Sequence, residues 1–359
     1  MGCGAAVTEI IKLTAYFAER ERTGSQFLAD GILDLYGTRK VATSVVTRGI
    51  ASFGPRGIVR SDESLSMSED LPVAITAVDI PERIDAVIDD VVALTNRGTL
   101  TMERGQLATG EVVGHSSDAT QLTLLLGRQQ RLAGSAAYFT VCEILYRSGF
   151  AGAAAFLGVD GTVDGQRRRA KFFSRNPDIP LLVVGVGTAS QVASACAELR
   201  ALIPDPLLMI ERVRVCKRNG ELIERPHALP AKDAQGLDLF QKLSIHTPED
   251  ALHDGAPIHR ALLRGLRESR RVSGATVLRA LWGFHDGRAP HGDRLLQLSR
   301  HVPVTTVVVD TPDAIAAAFE IVDEVTGERG LVTSEMVPAA IAIDRGHQRG
   351  GRHLARHRY

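Results

Sequence analysis

The sequence predicts an α+β protein built from three tandem βαββαβ units. The first observation behind this is a set of landmarks in one register: Leu13, Leu122 and Leu243 in a first strand; Arg48, Leu157 and Arg279 at the end of a second; Pro72, Pro180 and Pro303 opening a third. The offsets are 109, 109 and 108 residues from first to second copy, and 121, 122 and 123 from second to third. A shift so constant across separate elements marks internal duplication, and copies of roughly 95 residues are long enough to be domains rather than solenoid units. The second observation is the third strand itself. Ile179-Pro180-Leu181-Leu182-Val183-Val184 and Val302-Pro303-Val304-Thr305-Thr306-Val307-Val308-Val309 are apolar almost throughout, so both faces of these sheets are expected to be covered. In the βαββαβ order, the ferredoxin-like plait, helices cover one face of a four-stranded antiparallel sheet. The other face is then expected to meet the sheets of the other two copies. The predicted architecture is an intramolecular pseudo-trimer with sheets inward and helices outward. Its parts are residues 9–107, 120–215 and 240–338, followed by a basic tail, 339–359, expected to be disordered.

In the first copy, Leu13-Thr14-Ala15-Tyr16-Phe17 reads as a strand, and Phe27, Leu28, Ile32, Leu35 and Tyr36 recur at helical spacing. A second strand runs from Thr43 to Ile50 and stops before Phe53-Gly54-Pro55; a long polar loop follows, to Asp70. After the third strand, Asp79 with Pro81 and Glu82 reads as a helix start. Ile84, Val87, Ile88, Val91 and Leu94 give that helix its apolar stripe, and Leu100-Thr101-Met102 closes the unit. In the second copy Gly187 stands where the others have Asp79 and Asp310, a substituted cap position rather than part of a dinucleotide loop.

Composition narrows the function classes. Lys+Arg and Asp+Glu each number 42, a formal charge of zero, which argues against a general nucleic-acid-binding surface. The four cysteines, Cys3, Cys142, Cys196 and Cys216, show no C-x-x-C spacing; this is the usage of a reducing cytoplasm, and the expected location is cytoplasmic. No apolar stretch is long enough to span a membrane. No nucleophile elbow, triad order or paired-carboxylate motif stands out, so no catalysis is expected. Six histidines, His246, His253, His259, His285, His291 and His301, fall in the third copy, but none pairs at i, i+4 spacing and no metal site is assigned.

Lys12-Leu13-Thr14-Ala15-Tyr16-Phe17, Arg48-Gly49-Ile50-Ala51-Ser52-Phe53-Gly54 and Ser68-Glu69-Asp70-Leu71-Pro72-Val73 resemble the uncharacterised PII-like family of bacterial proteins, related to nitrogen-regulatory proteins. The third copy is similar through Gly274 to Phe284. The second keeps the glycine of Leu157-Gly158 but has Leu for Arg. The resemblance implies a signalling protein that binds an adenine nucleotide, ATP, ADP or AMP, or a similar anionic metabolite in clefts between modules. It also implies regulation of a protein partner, often a transporter or channel, through a long loop. The segment between second helix and last strand, which holds phosphate in PII proteins, reads Asn96-Arg97-Gly98-Thr99, Ile203-Pro204-Asp205-Pro206 and Gly327-Glu328-Arg329-Gly330. Only the third, with Arg329 between glycines, approaches a phosphate cradle.

Candidate ligand contacts are therefore Arg48, Gly49, Phe53 and Gly54 in the first copy, and Arg279, Trp282, Gly283, Phe284 and Arg329 in the third. The arginines would hold an anion and the aromatics would stack on a base. Arg167, Arg168, Arg169 and Lys171 make a basic loop in the second copy that could face an acidic partner. The alternatives are a ligand-free pseudo-trimeric scaffold and a metal-binding relative. A single chain is expected to be the functional unit.

Overall fold

The structure, a computed structural model, describes residues 8–62, 70–108, 119–168, 179–285, 287–292 and 302–358. The first repeat comprises β1 (Thr8–Ala18), α1 (Leu28–Thr38), β2 (Thr43–Phe53), β3 (Pro72–Asp79), α2 (Pro81–Leu94) and β4 (Arg97–Leu107). The second has β5 (Ala119–Gly127), α3 (Ala137–Arg147), β6 (Gly152–Phe156), β7 (Gly158–Val163), β8 (Pro180–Thr188), α4 (Ala189–Leu202), β9 (Leu207–Arg212) and β10 (Arg214–Arg218). The third has β11 (Phe240–Pro248), α5 (Ile258–Ser269), β12 (Ala275–Arg279), β13 (Trp282–His285), β14 (Pro303–Asp310), α6 (Pro312–Thr326), β15 (Leu331–Val337), β16 (Ala339–Asp344) and β17 (His347–Gly350).

All three repeats pair their strands antiparallel in one order: second, third, first, fourth. This is β2-β3-β1-β4, β6-β8-β5-β9 and β12-β14-β11-β15. The side chains of β1 show why helices gather on one side. Ile11, Leu13, Ala15 and Phe17 join the core with Ile32, Tyr36, Ile84 and Ile88 of α1 and α2, as the two-residue period of a strand requires. The intervening Ile10, Lys12 and Thr14 are buried as well, so the second face is covered by something other than helices.

What covers it is the rest of the chain, through two closed cycles of strand pairing. In the first, the end of β2 pairs with β12, β13 pairs with β6, and β7 pairs with the start of β2. In the second, the end of β4 pairs with β9, β10 pairs with β15, and β16 pairs with β4. Gly49, Gly158 and Gly283 sit at the first set of crossings. A β-carbon on them would lie 2.6 Å from the Val277 carbonyl oxygen, 1.8 Å from that of Pro180 and 2.2 Å from that of Ala153, so close backbone approach excludes any side chain there. For Gly49 and Gly283 this replaces the expected ligand contact.

Each helical core is completed by another repeat. Ile50, Ala51 and Phe53 belong to the third repeat's core, Phe284 and Trp282 to the second's, and Ala339, Ile341 and Ile343 to the first's. The last three residues overturn the expected disordered tail. Residues 339–350 form a hairpin whose first strand extends the first repeat's sheet. Beyond it Ala355 is fully buried, and its carbonyl and that of Leu354 accept hydrogen bonds from Arg104 at 2.7 and 3.0 Å. Basic composition suggested disorder, but the segment alternates Ala339, Ile341 and Ile343 into an existing core, and that burial decides.

Helix starts differ in detail from expectation. Asp79 and Asp310 precede the caps, and instead accept from Ala42 N and Ser273 N, each at 2.7 Å, tying the third strand to the start of the second. In the second repeat Thr188 caps α4 in a reciprocal box with Gln191.

Candidate functional site

The strand cycle brings the end of each repeat's first strand against the second and third strands of a neighbour, and the three junctions differ. Between repeats one and three there is a cavity of about 410 Å³. The first repeat supplies Tyr16, Phe17, Ser52, Phe53, Gly54, Arg56, Ile58, Arg60, Pro72 and Arg97; the third supplies Ser273–Thr276, Val307, Val309, Ile343, Asp344, His347 and Arg349. Its size and apolar walls with convergent polar groups fit a small-molecule site. The counterpart between repeats three and two is about 10 Å³, lined by His246, Phe284, His285 and Leu331, room for one water at most. At the remaining junction Leu125, in the place of Tyr16, packs with Ile10, Val78, Met209, Leu107 and Leu207.

The charges in the open cleft are already engaged. Asp344 lies between two arginines, with Arg97 Nε 3.2 Å and Arg56 Nε 3.3 Å away. Desolvation works to raise this carboxyl, but the hydrogen bond and charge of Arg56, with Arg97, outweigh it and hold it below its usual range. Arg60 pairs with Asp70 at 3.3 Å, and Arg349 with Asp310 at 2.9 Å. Burial pushes the Glu21 carboxyl up, against the opposing charge of Arg97. Tyr16 forms the floor; burial raises its hydroxyl to about 12, with Lys242 behind it pulling the other way. Four guanidiniums over apolar walls can receive an anion with a flat apolar body, provided the anion replaces the resident carboxylates.

Of the sequence candidates, Phe53 and Gly54 line this cleft. Arg48 does not: it is half-exposed and bound to Glu19. Arg279 bridges Glu249 at 2.7 Å and Asp62 at 3.1 Å, clamping the first repeat's loop to the third from outside the cavity. Trp282 stands edge-on to Phe139 at 4.4 Å and Phe284 edge-on to Tyr146 at 5.3 Å, both against α3. Phe284 is core of the second repeat and Trp282 packs, partly buried, against that core, so neither ring lines the open cleft. Arg329 is exposed in the turn after α6, away from the cavity. Arg167 is held by Asp160, Asp30 and Asp34 at 2.8, 2.5 and 2.6 Å, so it ties the second repeat to α1 of the first instead of facing a partner. Arg168 donates to Gln166 at 3.1 Å; Arg169 and Lys171 lie outside the described residues. The histidines of the third repeat partly converge: His285 and His291 stand edge-on at 5.8 Å, and His246 meets Thr305 Oγ1 at 3.0 Å.

The residues the sequence reading missed as contacts are Arg56, Arg60, Arg97, Asp344 and Arg349. Arg97 was visible as the cation of Asn96-Arg97-Gly98-Thr99, the segment that holds phosphate in the resembling proteins. Asp344 and Arg349 carried no signal, because their hairpin reaches the site through the pairing of β16 with β4, far away in sequence.

Among curated proteins, the chain is similar to a "UPF0166 protein" of Aquifex aeolicus (strain VF5), 34% identical over 96 residues, covering 26% of this chain and 88% of that protein. Among solved structures, Physcomitrella patens BBE-like 1 aligns over 86% of this chain and 66% of its own at 12% identity, with a TM-score of 0.19, too low to bear on the fold. The DUF190 family, described as "Uncharacterized ACR, COG1993", matches at residues 10–107, 119–215 and 240–339, and the chain belongs to that family, with its domain present three times.

Proposed function

We propose that the chain is a PII-like cytoplasmic regulator, a pseudo-trimer of ferredoxin-like plaits in one polypeptide, with one working effector site. That site, the cleft between repeats one and three, takes an adenine nucleotide such as ATP, ADP or AMP, or a similar anionic metabolite. The observation that carries this reading is the asymmetry of the junctions: arginines gather on the cleft between repeats one and three, about 410 Å³ against about 10 Å³ at its counterpart. The identical strand order in every repeat and the two closed pairing cycles support the plait and pseudo-trimer.

The effector's apolar body rests between Phe53, Ile58, Val307 and Ile343, and its anionic end engages Arg56 and Arg97 in exchange for Asp344. Arg56 and Ile58 belong to the loop after β2, and Asp344 to the C-terminal hairpin, so binding biases both segments. A ligand acts on a partner only through such a difference between bound and free states. The partner is a protein, with a membrane transporter or channel as the class that the PII-like resemblance suggests, and no chemistry is performed on the ligand.

Isothermal titration with ATP, ADP and AMP tests the reading. One ligand per chain is expected, with Arg97→Ala and Arg56→Ala each weakening binding at least about tenfold, near the strength of one charge-assisted contact. Three equal sites per chain would refute the single-cleft reading. No heat and no thermal shift with any of the three nucleotides would favour the ligand-free scaffold.

A further inference from the structure

Along the line where the three sheets face one another, each first strand presents one residue and each fourth strand one glutamate, directly across the ladder. The pairs are Lys12 with Glu103, Gln121 with Glu211, and Lys242 with Glu335. All six are buried. The contacts form an open chain. Gln121 Nε2 donates to Glu211 at 2.9 Å; Lys12 Nζ lies 2.5 Å from Glu211 and 2.6 Å from Glu103; Lys242 Nζ lies 2.8 Å from Glu103 and 2.6 Å from Glu335. A lysine at position 121 would close the chain into a ring of alternating charge, with each carboxylate between two ammonium groups. Glutamine there leaves three carboxylates against two ammonium groups, and Glu335 at the end of the chain with only Lys242.

We propose that this gap holds one exchangeable proton, carried by the Glu335 carboxyl, so that the seam joining the three repeats is a proton-binding site.

The geometry supports Glu335 rather than its two counterparts. Glu103 has both lysines and the Thr101 hydroxyl at 3.1 Å; Glu211 has Lys12, Gln121 and the Thr123 hydroxyl at 3.1 Å. Lys242 and Lys12 favour its ionisation, Glu103 and Glu211 oppose it, and the Tyr16 hydroxyl, itself held up partly by Glu335, is a further titratable group of this cluster. The strand on its far side brings Arg214, but that guanidinium is turned to Glu224 at 2.9 Å. Desolvation is the largest influence, and it moves the Glu335 carboxyl up to about 7, while at Glu103 the two lysines overcome desolvation and hold the carboxyl down at about 2. A buried net charge is costly, and taking up a proton relieves it.

The sign of the pH effect follows. A carboxyl that keeps its proton in the fold but releases it near 4.5 when unfolded contributes stability at acid pH, and that contribution is lost as pH rises through about 7. Buried histidines give the opposite slope, so the readout is the difference between the wild-type chain and Glu335→Gln, which mimics the protonated form and cannot ionise.

Urea unfolding of the full chain from about pH 5 to about pH 8 tests this. The wild type is expected to match Glu335→Gln at the acid end and to fall below it as pH rises. Gln121→Lys, which supplies the absent ammonium group, is expected to exceed the wild type at the alkaline end. Parallel curves for wild type and Glu335→Gln overturn the proposal. If neither variant folds, infrared spectroscopy of the wild-type chain decides: a carboxylic-acid carbonyl band from a buried glutamate that disappears as pH is raised supports it, and the absence of such a band at about pH 6 overturns it.

Discussion

The junction of repeats one and three and the junction of repeats three and two have one backbone design and opposite contents. In both, the end of a first strand meets the start of a neighbour's second strand and the outward positions of its third. Tyr16 floors the first junction and His246, at the same register position, the second. Around Tyr16 stand arginines and a cavity of about 410 Å³; around His246 stand Phe284, His285 and Leu331 with about 10 Å³ left. Duplication kept the strand exchange, because all three cores depend on it. The contents of the junctions carry no such constraint, and they have diverged.

The largest expected effect comes from the closed junction. Phe284 is 1% exposed inside the second repeat's core, so Phe284→Ala should cost about 3–5 kcal/mol in urea unfolding. A cost below about 1 kcal/mol would mean the ring is not core and that the junction is a second, collapsed site. Next, the open cleft can be filled without touching a core. Ala342→Trp places an indole in the cavity from β16 and should abolish nucleotide-induced stabilisation, which at about 100 Kd amounts to about 2.7 kcal/mol, while leaving the unliganded unfolding midpoint nearly unchanged.

The third effect concerns pH. Desolvation, helped by His285 and Lys242, pushes the His246 imidazole down to about 4. A group whose folded value is depressed contributes stability above its unfolded value of 6.5, and this is lost as pH falls toward 4. Replacing His246 by Asn should flatten the acid limb of the stability curve by on the order of 2 kcal/mol. Tyr16 has no such titration in that range, so Tyr16→Phe should leave the same limb untouched. The smallest effects belong to exposed arginines. Arg48→Ala should change neither ligand affinity nor stability by more than about 1 kcal/mol, as for other surface ion pairs; a lost nucleotide response would return Arg48 to the site.

Repetition and strand patterning made the three units legible at once, down to the prolines opening the third strands. The polar seam was legible in part. Lys12-Leu13 and Lys242-Leu243 repeat, and Glu103, Glu211 and Glu335 stand in matching fourth strands; a lysine kept inside an apolar strand in two copies is a signal of buried pairing. Which side chains enter the cleft was much less legible. Arg279 ends its strand as expected while Arg48 lies in the middle of β2, which runs on to Phe53, and both turn to carboxylates outside the cavity; strand alternation puts neighbouring side chains on opposite faces, and a bulge between Val277 and Leu278 shifts the register. Phe284 and Trp282 had the chemistry of a base-stacking pair, and only their insertion beside α3 makes them core.

The sequence by itself determined the repeat, the element order and which strand faces must be covered, since these follow from local periodicity and from burying apolar surface. The tertiary structure alone decided that the tail is a strand, that one junction is open and that three glutamates meet two lysines. Those outcomes depend on contacts between residues a hundred or more positions apart, whose register no local pattern encodes.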